Sequence, residues 1–213
     1  MINYEKIIRY ASLSAIIFAS SMFVSLSLFK DSEKHVKIAR RPAPVVDLDQ
    51  LCSTEAKENS WRYIVIHHSA TKTGSAARFD DYHRNKRKWE HGLAYHFVIG
   101  NGSFSEDGAI EVGERWKKQI HGAHTANMSC NRIAIGVCLV GDFENEGEPT
   151  NNQFESLTNL VQHLSRKYCI PLTNIILHKH VTQKGTACPG KNFPYAELQT
   201  RLIQIASKES NHI

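Results

Sequence analysis

The run RIAIGVCLVGDF, residues 132–143, is apolar almost without interruption and rich in β-branched residues. A stretch of that kind and length predicts a buried strand in the middle of a sheet. Three further runs carry strand patterns. WRYIVIHHSA (61–70) is β-branched and aromatic and ends in small polar residues; GLAYHFVIGNG (92–102) closes in a turn at Gly100-Asn101-Gly102, with AIEVGE (109–114) as its hairpin partner; NIILHKH (174–180) is the last. Helical patterns alternate with them. Phe154, Leu157, Leu160, Val161 and Leu164 recur at helical spacing within 151–168, where Thr150 or Asn151 is placed to cap the start. Residues 75–89 and 194–207 read as two more helices. Alternating strands and helices predict an α/β domain with a single central, mainly mixed sheet flanked by about three helices.

Two segments precede that domain, giving an expected organisation of 1–29, 30–60 and 61–213. Residues 10–29 hold no charge, and Lys6 and Arg9 lie just before them. An apolar stretch of this length reaches ~30 Å as a helix, so it reads as an apolar membrane helix or a secretory signal. Lys30, Lys34, Lys37, Arg40 and Arg41 follow it, so the flanking charges do not fix an orientation. Residues 30–60 are charged and proline-containing without sustained periodicity, as in a linker.

With 41% hydrophobic and 22% charged residues over the whole chain, the composition is ordinary for one soluble core. The net charge of +5 is mild, and HRNKRKW (83–89) is the one concentrated basic stretch, which argues against nucleic-acid binding. Five cysteines leave at least one unpaired or otherwise employed; Cys138, inside the apolar run, reads as a buried free thiol.

The segment HKHVTQKGTACPG (178–190) sets histidines and a cysteine close together at the end of the last predicted strand. Side chains alternate along a strand, so only one of His67 and His68 can face a given site, whereas His178 and His180 would share a side. One histidine from the first strand, one from the last and Cys188 would make a His₂Cys set, a three-ligand arrangement suited to zinc with a position left for water. No C-x-x-C pair exists, and the deaminase pattern H-x-E with P-C-x-x-C is absent.

IVIHHSAT, LAYHFVI, HGAHTAN, IAIGVCLVGDF and HVTQKGTACPG occur in that order. Together they resemble zinc-dependent N-acetylmuramoyl-L-alanine amidases, the group that includes phage lysozyme-type amidases and animal peptidoglycan recognition proteins. The resemblance covers about residues 61–205. It implies His67, His180 and Cys188 as zinc ligands, with His178 in the core or hydrogen-bonded behind a ligand. It places Tyr95 beside the activated water. Thr186 falls where phage-type enzymes carry lysine and catalytic recognition proteins often carry threonine, so it can donate a hydrogen bond but no charge. It sets His124 at a position lining the substrate groove, as a substrate contact or else in a structural hydrogen bond, and Trp89 with the basic residues before it is expected to form a groove wall.

The implied reaction is hydrolysis of the amide between N-acetylmuramic acid and L-alanine of the peptidoglycan stem peptide. Zinc would acidify water and polarise the carbonyl, with Tyr95 and Thr186 as donors to the oxyanion. Peptidoglycan lies outside the cytoplasmic membrane, so the expected location is the cell envelope, anchored through residues 10–29 or secreted if that segment is cleaved. The alternative is a non-catalytic muropeptide-binding module, which the complete ligand set argues against.

Overall fold

A computed structural model of the chain describes residues 46–181 and 185–210. The segment 10–29 lies outside the described residues; among the described ones, no helix is long and apolar enough to cross a membrane. Five strands, β1 (Tyr63–His68), β2 (Phe97–Ile99), β3 (Ile110–Val112), β4 (Ala134–Leu139) and β5 (Ile175–Leu177), form one sheet in the order β3-β2-β4-β1-β5. All neighbouring pairs are parallel except the β2–β3 hairpin. The apolar run at 132–143 thus supplies the middle strand, as its composition predicts. The α-helices, in chain order, are α1 (Leu48–Leu51), α2 (Ala76–Asn85), α3 (Glu114–Lys117), α4 (Met128–Asn131), α5 (Asn151–Lys167) and α6 (Tyr195–Ser210).

Strand alternation divides the side chains between two faces. Ile64, Ile66, Phe97, Ile99, Ile135, Val137 and Leu139 point into the main core, which α5 and α6 cover. Leu157, Leu160 and Leu164 of α5 and Leu198 of α6 are fully buried there. Each such side chain is worth ~1.5–3 kcal/mol of burial. Thr150, not Asn151, caps α5, and it forms a capping box with Gln153. The Gln153 amide then donates to the carbonyls of Ile99 and Val140, tying the start of the helix to the carboxyl ends of β2 and β4.

The opposite face is thinner. Val98, Cys138, Val140 and Leu93 form a small second cluster, against which Ala76 and Phe79 of α2 pack. The loop between the short helices α3 and α4 lays the His124 ring against Gly136 of β4.

Two expectations change. Residues 30–60 read as linker throughout, yet α1 is capped by Asp47 and the Cys52 side chain is fully buried in the core. Thr54 donates to the Lys117 carbonyl and Asn59 to that of Arg132, so the folded unit begins upstream of Trp61. Four helical residues are too few to show a period, which hides this element in the sequence. Second, the strand expected over 174–180 stops at Leu177, and His178–His180 form a single 3₁₀ turn. All five cysteines are free thiols.

Immediately before β2, the fully buried His96 ties β4 to a loop: its Nδ1 accepts from Gly136 N and its Nε2 donates to Ile120 O. Its edge faces Trp61, ring centroids 4.8 Å apart. Burial pushes this ring down to about 3 from an ordinary 6.5. Between those values the unfolded chain binds a proton that the folded chain refuses. Stability is therefore full above about pH 6.5 and is lost as pH falls toward 3, at a slope of about 1.4 kcal/mol per pH unit for this one group. Calorimetry of the metal-free chain from about pH 7 to about pH 4.5 is expected to show a steadily falling melting temperature; a flat profile would contradict it.

Candidate metal centre

β1 and β5 run side by side with Ile66 opposite Leu177, so His67 and His178 leave the carboxyl ends of adjacent parallel strands together. Their ring centroids are 4.5 Å apart. The chain then turns and returns, bringing the Cys188 Sγ to 3.7 Å from His67 Nδ1. The donor atoms of His67, His178 and Cys188 all lie within 4.8 Å of one another, the one group of three or more metal-binding side chains among the described residues. His67 and Cys188 are buried, while His178 is half-buried, so the group opens on the His178 side.

The cysteine is held on several sides. Lys179 N donates to the Cys188 carbonyl (2.9 Å), His68 N points at its sulfur (3.4 Å), and its own N–H donates to Thr186 Oγ1 (3.3 Å). Thr186 therefore shapes the turn that presents the thiol. His68, on the far side of the strand, accepts from Phe143 N and faces the Phe143 ring.

His180 is exposed, and its ring faces Tyr195 at 6.1 Å rather than the His67–Cys188 group. Contrary to expectation, His178 joins that group and His180 does not. Residues two apart share a side only in extended chain; at three residues per turn they diverge by about 240°. The 3₁₀ turn at 178–180 thus turns one histidine in and the other out.

His124 is buried at 6% exposure, with Nδ1 3.0 Å from His67 Nε2 and Nε2 3.2 Å from the Ala134 carbonyl. With both nitrogens engaged behind His67, it occupies a structural hydrogen-bonding position rather than an exposed place in a groove. Tyr95 is half-buried, its ring centroid 5.2 Å from that of His67. Trp89 stacks on His83 at 4.8 Å, and His83 in turn meets Tyr95 at 6.3 Å. An aromatic file thus runs from the surface to His67. His83 was not anticipated as part of it; the helix ends at Asn85, and a left-handed turn at Lys88 brings Trp89 back over His83, its N–H donating to the His83 carbonyl, an arrangement that no helical period signals.

The electrostatics suit cation binding. Burial, then the neighbouring His124 and His178, holds His67 well below the usual imidazole range, and burial lowers His178. Both rings are therefore neutral and offer lone pairs. Burial pushes the Cys188 thiol up to about 12, so a bound cation must displace its proton. Burial, with the Cys138 and Cys188 thiols next, raises the Tyr95 hydroxyl well above its ordinary value and keeps it a donor. Zinc bond lengths to nitrogen and sulfur place those atoms ~3.5 Å apart around one tetrahedral ion, close to the 3.7 Å found between His67 and Cys188. Two imidazoles and a thiol fit zinc and not magnesium or calcium.

Known proteins share this arrangement of strands and helices. The chain is 32% identical over 145 residues to the endolysin of Klebsiella phage KP32, covering 64% of this chain and 83% of that protein. It is 32% identical over 135 residues to the endolysin of Escherichia phage T7, covering 59% and 78%. Among solved structures, the N-acetylmuramoyl-L-alanine amidase LysC from Clostridium intestinale URNW is similar at a TM-score of 0.58 and 30% identity, covering 76% of this chain and 92% of that one. A mutant of Drosophila PGRP-LB in complex with tracheal cytotoxin is similar at a TM-score of 0.53 and 26% identity, covering 68% and 84%. Residues 57–191 match the family model Amidase_2, described as N-acetylmuramoyl-L-alanine amidase, and the chain belongs to that family.

Proposed function

We propose that this protein hydrolyses the amide between N-acetylmuramic acid and the L-alanine of peptidoglycan stem peptides, with zinc held by His67, His178 and Cys188. The observation that carries the reading is the meeting of those three side chains at one open edge of the sheet, in a chain of this amidase family. The complex of the similar PGRP-LB with tracheal cytotoxin supports a muropeptide-class ligand.

A bound zinc ion supplies Lewis acidity, which polarises an amide carbonyl and acidifies water near neutral pH. The chain's own residues do the rest. His67 and Cys188, buried and hydrogen-bonded, hold the inner wall, and half-buried His178 leaves the outer side free for substrate. Tyr95, kept protonated by its surroundings, donates a hydrogen bond to the oxygen on which negative charge develops. Thr186 fixes the Cys188 turn and offers its hydroxyl hydrogen at the same edge. Trp89 and His83 present stacked rings along which a stem peptide or sugar can lie.

Since peptidoglycan lies outside the cytoplasmic membrane, the same reading puts the domain on that side, with residues 10–29 as tether or cleaved signal. Support for the tether is the uncharged run in the sequence.

Incubation of the full chain with purified muropeptides is expected to release stem peptides beginning at L-alanine, detected by mass spectrometry. Release should stop with chelator and in Cys188→Ser. A zinc-loaded, folded chain that binds muropeptides but releases nothing would favour a binding module instead. His178→Ala is expected to lose stoichiometric zinc and all turnover, while His180→Ala keeps about one equivalent of zinc; the reverse pattern would overturn the ligand assignment. Removing one hydrogen-bond donor to a developing oxyanion costs ~10²–10³ in kcat. Tyr95→Phe should fall in that range with zinc content unchanged, and undiminished activity would remove Tyr95 from the mechanism.

A further inference from the structure

We infer that His124 is a positioning residue that fixes which nitrogen of His67 carries the proton, leaving Nδ1 bare toward the cation; the inference rests on the metal reading above. A carbonyl oxygen only accepts. His124 Nε2 lies 3.2 Å from the Ala134 carbonyl and must donate to it. A neutral ring donating at Nε2 presents a lone pair at Nδ1. That Nδ1 lies 3.0 Å from His67 Nε2, which therefore carries the hydrogen of the pair. His67 Nδ1 is then left without a proton, and it is the nitrogen that faces the Cys188 sulfur at 3.7 Å. One backbone acceptor thus sets two tautomers in sequence and ends in a lone pair aimed at the centre.

The ring has a slot built for it. A Cβ on Gly122 or on Gly136 would collide with the same His124 ring carbon, Cδ2. No side chain other than hydrogen fits at either position without moving the ring. The loop bearing His124 is pinned on both sides as well. Gly122 N donates to Asn131 O, Ala123 N to Ala94 O, and Thr125 N to Asn131 Oδ1. A histidine that only filled space would need neither the matched hydrogen-bond polarity nor two glycines against one ring carbon.

Partners that orient a metal-binding imidazole are worth ~10–100-fold in metal affinity. Competition of the full chain against a chromophoric chelator reads zinc affinity directly, apart from turnover. His124→Phe, with a ring but no nitrogen, is expected to weaken zinc by about that factor. His124→Asn, whose Oδ1 can stand near the position of Nδ1 and accept from His67, should recover most of the loss. Gly122→Ala should reproduce the loss by crowding the ring, and it decides the matter if His124→Phe does not fold. The inference is overturned if His124→Phe, or failing that Gly122→Ala, binds zinc within about twofold of the parent while Cys188→Ser does not bind, a result that leaves the metal centre standing. It is also overturned if Asn restores nothing. Parent-like binding by Cys188→Ser would instead locate the failure in the metal reading itself.

Discussion

Everything in this domain is arranged around β1, a strand paired in parallel on both edges. It meets β4 over six residue pairs and β5 over three. Parallel pairing on both sides fixes its register, and register fixes the faces: Ile64 and Ile66 go to the helix-covered core, Val65 and His67 to the thin face. A slip of one residue would send His67 into the main core and Ile66 to the site. The same pairing sets the ends of β1 and β5 side by side, so that residues far apart in sequence reach one point without any long loop. The carboxyl edge of a parallel sheet is where such convergence is easiest, because the chain leaves each strand there into a loop.

Behind the donor atoms lies a layer of neutral, hydrogen-bonded histidines. His96 bridges Gly136 and Ile120, and His124 bridges His67 and Ala134. Burial holds both well below the usual imidazole range. Polar groups so deeply buried are tolerable because each nitrogen has a partner; unpaired, each would cost ~1–3 kcal/mol. In front of the donors the character changes to half-buried aromatic and hydroxyl groups: Trp89, His83, Tyr95 and Thr186. A buried, fully partnered interior thus backs an accessible rim.

Much of this is written locally. The apolar run at 132–143, the β2–β3 hairpin and the α5 stripe with its Thr150 cap each carry their signal within one short stretch of chain, and the structure has a strand, a hairpin and a helix there, though β2 is shorter than the run that predicts it. Alternation in a strong strand narrows the first donor to one of His67 and His68, and only the family resemblance selects His67; Cys188 stands out by its neighbours. What is not local is lost. Whether His178 or His180 turns inward depends on where β5 stops pairing with β1, which no pattern within NIILHKH encodes. The burial of Cys52 depends on Trp116, whose indole donates to the Cys52 carbonyl. The role of His124 depends on two glycines, one in its own loop and one across the sheet in β4.

X-ray absorption at the zinc edge of the full chain tests the central claim most directly, since it reads the donor set without reference to substrate. The expected result is one sulfur at ~2.3 Å with the remaining ligands light atoms near ~2.0 Å, at least two of them showing the outer-shell scattering of imidazole rings. A zinc environment lacking sulfur, or with two sulfurs, would contradict the centre formed by His67, His178 and Cys188.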